Sequence, residues 1–332
     1  MALVSVIVPS YNHGPFLGAC LDSVIAQSFE DWELVLVDDG SSDDSVDIAR
    51  SFAERDARIK VFVNESNLGT YGTQNAALGK STGEFVAVLN SDDVWLPEKL
   101  QLQIALMDAH PRVPFCYTLG ARCDVEGRID GLTDVHGNWP LSEEQDLLPS
   151  LLCENRVLAS GVLFRRDRLR FDPGLRYSGD WVALLRLAAR EDVGCVAEIL
   201  TFWRIHGSNT FTLSEGQALE EVRVRRAILG RGMEWVRAGH DATPVQAGLG
   251  QCAMHLAALM VLFGDMPAAR AAALAAREHL GMDRRVLKRL VACTLPLAVA
   301  RKRLWPAASA FIEPEEGRSA LRALRPLDLA LG

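Results

Sequence analysis

The chain has 332 residues, of which 49% are hydrophobic and 23% charged, and its formal net charge is −8 at pH 7. This length is enough for about two domains, and the composition excludes collagen-like, disordered and disulfide-scaffold proteins. The acidic charge also argues against nucleic acid as a partner, because binding to a phosphate backbone depends on a surplus of Lys and Arg.

Short apolar runs alternate with amphipathic stretches from Leu3 to about Cys123. This alternation is typical of a parallel sheet covered by helices, in which each strand, helix and strand form one right-handed crossover unit. The predicted strands are 5–8, 33–37, 59–63 and 84–89, and the predicted helices are 15–27, 44–54, 70–78 and 97–110.

The regular alternation weakens after Val113, and from residue 215 onward the sequence favours helices alone. We place the domain boundary at the composition shift near 209–214, which predicts domains 1–212 and 213–332. The sequence predicts two helices within residues 254–280, joined at 264–267. In the mixed region between, the predicted strands are 113–118 and 160–164, and the predicted helices are 142–152 and 181–189.

The seven cysteines are scattered and include no C-x-x-C pair of the kind used in zinc and redox sites. Free thiols are typical of a reducing compartment. The first residues show no basic region or cleavage site of a secretion signal, and the apolar runs read from the sequence are shorter than the ~20 residues that cross a bilayer. We therefore expect a cytoplasmic protein.

Polar side chains follow each predicted strand of the first domain, and two of these positions are acidic pairs, Asp38-Asp39 and Asp92-Asp93. Ligands of open α/β sheets bind beyond the carboxyl ends of the strands. Two acidic pairs at one edge repel each other unless a cation lies between them, and a hard divalent ion that also binds phosphate oxygens suits such a site. Turn and helix-cap roles are the alternative for these residues.

Four short motifs at these strand ends are VIVPSYN at 6–12, VDDGS at 37–41, NLG at 67–69 and NSDD at 90–93. Their order and spacing resemble the inverting glycosyltransferases of family 2. The resemblance covers about residues 3–210 and implies a GT-A fold: an α/β, Rossmann-like, mostly parallel sheet with flanking helices, here followed by an α-helical C-terminal region.

The resemblance also implies roles for individual residues. Tyr11 and Asp39 would hold the nucleotide base, and Asp92 would meet the ribose. A carboxylate that accepts a hydrogen bond from a pyrimidine imide favours uracil or thymine, so the donor would carry UDP or dTDP. Asp93 would bind Mn²⁺ or Mg²⁺ with His206, and Arg204 would offset the charge of the diphosphate. The remaining donor-binding positions implied by the motifs are Pro9, Asn67, Gly69 and Asn75.

The family's catalytic base is an acid just before a Trp at a helix start, and the segment 177–187 matches it with Asp180 followed by Trp181. One carboxylate opposite the leaving group can take the proton of the attacking hydroxyl. A helix-capping role for Asp180 is the alternative. The chain departs from its relatives at Asn90, where Asp is common, and at Gln74, where Arg is common.

Seven Lys or Arg residues lie between Asp283 and Trp305, around an apolar run at 290–300. Basic groups beside a short apolar segment suit an anionic membrane surface, so residues 284–305 are a candidate for peripheral contact with the inner face of the membrane. A solvated helical hairpin, or one that faces the acidic catalytic domain, is the alternative.

The function expected from these features is metal-dependent, inverting transfer of a sugar from a UDP- or dTDP-activated donor to a hydroxyl of a glycan or lipid-linked acceptor. A dinucleotide-dependent oxidoreductase lacks support, because residues 10–18 after the first strand contain Pro15 and no G-x-G-x-x-G. A catalytically silent nucleotide-sugar-binding scaffold that acts through its helical region is the other alternative.

Overall fold

The computed structural model describes residues 2–129, 139–207, 209, 214–237, 240–305 and 313–329. The chain forms two compact units, Met1–Leu147 with Arg156–Phe211, and Leu148–Asn155 with Thr212–Gly332. The second unit therefore takes a short stretch from the middle of the chain, which a division at one sequence position does not provide.

The first unit is built on an eight-stranded sheet with the order β3-β2-β1-β4-β7-β6-β8-β5. Strands β1 to β4 run parallel, β7 is antiparallel to β4 and β6, β8 is parallel to β6, and β5 is antiparallel to β8. The carboxyl ends of β1, β2, β4, β6 and β8 therefore share one edge. The strands are β1 Val4–Ser10, β2 Trp32–Asp38, β3 Ile59–Val63, β4 Phe85–Val88, β5 Val94–Trp95, β6 Phe115–Cys123, β7 Val162–Arg165 and β8 Gly194–Arg204.

Helices flank this sheet in the first unit and make up the second. Short 3₁₀ helices occur at Ala159–Gly161, Arg166–Arg168 and Gly232–Trp235. The α-helices are α1 Gly14–Ile25, α2 Ser45–Ala53, α3 Gly69–Lys80, α4 Lys99–Ala109, α5 Leu148–Cys153, α6 Gly179–Ala188, α7 Glu215–Arg231, α8 Ala242–Leu262, α9 Met266–Leu280, α10 Arg284–Ala292, α11 Leu297–Leu304 and α12 Pro314–Ala323.

The core of the first unit lies between the sheet and its helices. All seven residues of β2 are buried, as expected for a central parallel strand with both faces covered. On one face Val6 and Val8 pack in the same cluster as Leu17 and Leu21 of α1. This packing fixes the strand ends and the loops that follow them.

The four predicted strand–helix pairs of residues 5–110 are confirmed, with boundaries that differ by a few residues. The prediction of one helix over 142–152 is wrong, since only Leu148–Cys153 is helical and Gln145 forms a β-bridge with Val193. Strands β5 and β8 were not predicted from the sequence. Strand β8 was missed because its burial does not alternate regularly and it pairs with β6 through shifts in register.

In the second unit, α8 is the central helix and packs against α5, α7 and α9. The predicted helical pair within 254–280 is present as α8 and α9, joined at 263–265. At 21 residues, α8 is long and apolar enough to cross a bilayer, which corrects the expectation that apolar runs are too short. Its most apolar window is 78% buried inside the protein, as in the core helix of a globular unit.

Candidate functional site

The loops after β1, β2, β4 and β8 meet at one edge of the sheet, and the loops after β1 and β2 are bonded to each other. The Ser42 backbone N–H donates to Asn12 Oδ1 at 2.8 Å, and the Asn12 N–H donates to Ser41 Oγ at 2.8 Å. Asn12 has a φ of +52°, a left-handed conformation that Asn tolerates better than most residues. These bonds fix the path of the chain just before His13.

His13 stands at this edge, at the start of α1. Its backbone N–H donates to Ser45 Oγ at 3.1 Å, and its Nδ1 lies 2.8 Å from Ser91 Oγ. Burial lowers the pKa of His13, although the nearby Asp92 charge opposes this effect. A neutral imidazole whose Nδ1 is already bonded presents Nε2 as a ligand atom.

Asp92 and His206 face His13 across the edge. Asp92 Oδ2 lies 3.0 Å from His206 Nε2, and the side chains of these two residues are 11% and 4% exposed. One ligand atom each from His13, Asp92 and His206 lie within 4.8 Å of one another. Ligands of one transition-metal ion lie about 3–4 Å apart, so a small inward movement would let the three share an ion.

Asn209 forms hydrogen bonds with Asp92 and His206, two of the three residues of this cluster. Its side-chain Nδ2 donates to the carbonyl oxygen of Arg204 at 2.9 Å and to Asp92 Oδ2 at 3.3 Å. Its Oδ1 accepts the backbone N–H of His206. Asn209 therefore orients both an anionic and an imidazole ligand, as residues that support metal ligands commonly do.

The Asp93 carboxyl is bonded to partners outside this cluster, and its expected role as a metal ligand with His206 stays a prediction. Its carboxyl accepts from Ser160 Oγ and from the Arg204 backbone N–H at 3.1 Å, and the residue is 3% exposed. Burial, and then the Asp92 charge, raise the pKa of Asp93 well above its usual range. The carboxylate beside His206 is that of Asp92, because neighbouring side chains leave the chain in different directions.

Arg204, at the end of β8, is buried and bonded to backbone oxygens. Its Nε donates to the Asp92 carbonyl at 3.0 Å, and its Nη1 donates to the Val125 carbonyl at 2.8 Å. Arg204 therefore positions Asp92, and its contact with phosphate stays a prediction.

Asp39 anchors the loop that follows β3. Its carboxylate accepts from Asn64 Nδ2 at 2.8 Å and from the backbone N–H groups of Leu68 and Gly69 at 2.8 and 2.9 Å. The Asn67 amide also donates to the Asp39 carbonyl at 3.3 Å. A carboxylate has about four acceptor positions, so one remains for a ligand.

The other predicted donor-binding residues fall in different surroundings. Tyr11 is 48% exposed at the edge, and Pro9 lies within β1, paired with Val37. The Asn75 amide bonds to both the carbonyl and the N–H of Phe171, and its contact with the donor stays a prediction. Asn75 is six residues into α3, about 9 Å from the start of the helix, so it ties α3 to the segment before α6.

Asp180 lies in the first turn of α6, where the helix dipole favours a carboxylate. Tyr71 Oη donates to Asp180 Oδ1 at 2.8 Å. The carboxyl, Gln74 and Val88 line a small apolar cavity. Gln74 Oε1 is buried without a hydrogen-bond partner among the residues that the structure describes.

Four residues of this edge were not predicted from the sequence: His13, Tyr71, Ser160 and Asn209. Ser160 and Tyr71 carry no pattern that separates them from core residues. His13 and Asn209 do carry a signal, since each lies within three residues of a motif position at a strand end.

Comparison with known proteins agrees with this geometry. The family model "Glycosyl transferase family 2" matches residues 5–167. The chain is 43% identical over 105 residues to an Escherichia coli enzyme named UDP-Glc:alpha-D-GlcNAc-diphosphoundecaprenol beta-1,3-glucosyltransferase WfgD, covering 32% of this chain and 41% of that one.

Among solved structures, TarS 1–349 from S. aureus in complex with UDP-GlcNAc matches with a TM-score of 0.63 and 18% identity, covering 96% of this chain and 90% of that one. The mannosyltransferase PcManGT from Pyrobaculum calidifontis in complex with GDP-Man and Mn²⁺ matches with a TM-score of 0.51 and 18% identity, covering 92% and 88%. The expected fold class, GT-A with a helical C-terminal region, is confirmed. The chain spans between a quarter and two thirds of the length of the first curated relatives.

Proposed function

Because this chain belongs to glycosyl transferase family 2, we propose that it is an inverting, metal-dependent glycosyltransferase. It would move a sugar from a UDP- or dTDP-activated donor to a hydroxyl of a glycan or lipid-linked acceptor. The observation that carries this proposal is the meeting of His13, Asp92 and His206 at the edge where α/β sheets bind ligands.

The name of the Escherichia coli relative supports the donor and acceptor classes. That enzyme is named for UDP-Glc as donor and for a sugar carried on diphosphoundecaprenol as acceptor. For this chain we propose only the same classes of substrate, a uridine-type donor and a lipid-linked glycan acceptor. We do not propose the same individual sugars.

Asp39 and Tyr11 would bind the base of the donor. The remaining acceptor position of the Asp39 carboxylate would take the imide N–H of uracil or thymine, and the exposed Tyr11 ring offers a face for stacking. Asn67 and Gly69 would act through the loop that they form with Asp39. Cytosine lacks the imide N–H, so CDP should bind more weakly.

His13, Asp92 and His206 would hold Mn²⁺ or Mg²⁺. Two imidazoles and one carboxylate favour Mn²⁺ over Mg²⁺, which prefers oxygen ligands. When bound, the ion would act as a Lewis acid that stabilises the diphosphate. The side chains of His13, Asp92 and His206 are held by Ser91 and Asn209 before any ligand arrives.

Asp180 would be the general base. The acceptor oxygen would form a bond to the anomeric carbon while the bond from that carbon to the diphosphate oxygen breaks, and the acceptor proton would pass to Asp180. The Tyr71 hydroxyl donates to Asp180 Oδ1 and so orients the carboxylate that would receive the proton. Attack from the face opposite the leaving group inverts the anomeric centre.

The test is thermal stabilisation by UDP, dTDP, GDP, CDP and NAD, each with and without Mn²⁺, followed by a transfer assay with radiolabelled UDP-sugars. A ligand that binds only the native protein raises its melting temperature. A shift with UDP or dTDP that requires Mn²⁺, together with sugar transfer, is the expected result. A shift with NAD alone would overturn the proposal. Nucleotide binding without sugar transfer would support the alternative, a catalytically silent nucleotide-sugar-binding scaffold, which the comparisons do not favour.

A further inference from the structure

The outward faces of α10 and α11 combine exposed aliphatic and basic side chains. Leu287 and Val291 of α10 are 51% and 42% exposed, and Val299 of α11 is 51% exposed. Large aliphatic side chains that are exposed to solvent on consecutive helices indicate a surface that contacts a partner.

The cations on these helices lie beside the aliphatic groups. The exposed ones are Arg284, Arg285, Lys288, Lys302 and Arg303. The acid at the start of this segment, Asp283, is part-buried, caps α10 through the Val286 N–H and pairs with Arg285. Arg301 is buried and donates to the Val261 and Leu262 carbonyls, so it belongs to the core of the unit.

Helical geometry places these groups side by side. Positions 284, 287, 288 and 291 lie on one face of α10, opposite the buried Val286, because residues three and four apart are neighbours. The same spacing puts Val299, Lys302 and Arg303 together on α11, opposite the buried Arg301. We name these seven exposed residues the α10–α11 surface.

We propose that the α10–α11 surface docks on the headgroup region of a bilayer that contains anionic lipid. Lipid phosphates match its positive charge, and Leu287, Val291 and Val299 can enter the boundary between headgroups and acyl chains. Nucleic acid would match the charge alone and leave three aliphatic side chains without a role. The proposal does not depend on the transfer reaction, since binding to lipid needs neither donor nor metal.

The experiment is flotation of the full chain with vesicles of phosphatidylcholine, either pure or mixed with phosphatidylglycerol, at low and high salt. The protein should float with the mixed vesicles at least about tenfold more strongly than with the neutral ones, and high salt should reduce this binding. Flotation with neither kind of vesicle overturns the proposal.

Two variants separate the charge from the aliphatic groups. Lys288→Glu with Lys302→Glu should lower binding by about tenfold or more, and Leu287→Ser with Val291→Ser should lower it about tenfold at constant charge. Arg322→Glu with Arg325→Glu makes the same change of charge at exposed positions elsewhere in the second unit and should leave binding nearly unchanged.

A melting curve with UDP and Mn²⁺ checks that each variant is folded, so failure of the transfer proposal and failure of the docking proposal remain distinct. If both charge variants reduce flotation equally, attraction is general to the protein's surface and the proposal is overturned. It is also overturned if the α10–α11 changes alter the sedimentation mass and leave vesicle binding unchanged, since the surface would then join two copies of the chain.

Discussion

The Tyr71 hydroxyl donates to Asp180 Oδ1 at 2.8 Å, and its oxygen lies 3.2 Å from the Tyr177 carbonyl oxygen. Tyr71 is 6% exposed, and its ring packs on Phe171, with centroids 5.7 Å apart. A buried phenol on α3 therefore fixes a carboxylate on α6, more than one hundred residues later in the chain.

Replacing Asp180 by Asn should lower kcat by about a hundredfold to ten-thousandfold, because an amide cannot take the acceptor proton. The melting-temperature shift with UDP and Mn²⁺ should remain, since Asp180 is not placed at the nucleotide. Steady-state kinetics measure the first effect. Asp167→Asn, at an exposed acid within the 3₁₀ helix Arg166–Arg168, is the control and should keep its full rate. A normal rate for Asp180→Asn would show that another group is the base.

Replacing Gly179 by Ala should also lower kcat, through Tyr71. A Cβ at this glycine would meet ring carbons of Tyr71 at 2.6 Å, so the ring must move away from its bond to Asp180. We expect Tyr71→Phe to lower kcat in the same direction with a smaller loss of stability, because the ring then keeps its place. Kinetics and thermal unfolding of both variants check this.

Gly18→Ala is the matched control for that substitution. Gly18 lies within α1 and a Cβ there has no neighbour within 4 Å. Ala in a helix interior is favoured over Gly by about 0.5–1 kcal/mol, so this variant should unfold at a slightly higher temperature with unchanged kinetics. Equal kcat for the Gly179 and Gly18 variants would contradict the positioning role of Tyr71.

Replacing His13 or His206 by Ala should weaken Mn²⁺ binding at least about tenfold, as the loss of groups that hold a metal typically does. Asp93→Asn should change the affinity much less, because its carboxyl bonds to Ser160 and Arg204 instead. Titration calorimetry with Mn²⁺ alone measures all three. His110→Ala, a histidine paired with Glu144, is the control. A larger loss from Asp93→Asn than from His13→Ala would restore the assignment made from the sequence.

Replacing Glu33 by Gln should make the unfolding free energy depend less on pH in the acid range. Burial by itself raises the pKa of Glu33, but hydrogen bonds from Lys60, Ser5 and Thr82 outweigh it and lower the pKa from 4.5 to about 2. The ionised form is thus favoured in the folded chain. Its contribution, up to about 3 kcal/mol, is fully present above pH 4.5 and is lost as the pH falls toward 2.

Urea unfolding from pH 7 to acid measures this dependence. The unfolding free energy of the wild type should fall more steeply with acid than that of Glu33→Gln. Glu54→Gln, at an exposed position after α2, should follow the wild type. Parallel curves for the wild type and Glu33→Gln would mean that the Glu33 bonds do not favour the charged form.

The strand–helix units of residues 5–110 were readable from the sequence because their signals are local. Buried runs such as 34–37, helix starts near prolines and polar residues after each strand lie within a few positions of one another. Their order in the chain also fixed which loops share an edge, since consecutive parallel strands end on the same side. The position of Asp39 and Asp92 at that edge followed from these facts.

The tertiary structure alone decided which side chains meet. Strand β8 brings Arg204 and His206 into contact with Asp92, more than one hundred residues earlier in the chain. The pairing of β8 with β6 that makes this possible is not indicated by any local sequence pattern. Whether Asp92 or Asp93 faces the histidines depends on the direction in which each side chain leaves the turn. The bond between Asn75 and Phe171 is likewise a contact between distant segments, 96 residues apart in the chain.

Residues 148–155 also show the difference between what local sequence patterns predict and what contacts between distant segments decide. Their apolar character predicts burial, and the sequence placed them in the first domain because they precede its last strands. They pack instead on α8 of the second unit, since contact between distant segments is set by the surfaces that the finished helices present. Local patterns thus determined the elements and the edge, and packing between distant segments decided the composition of the site.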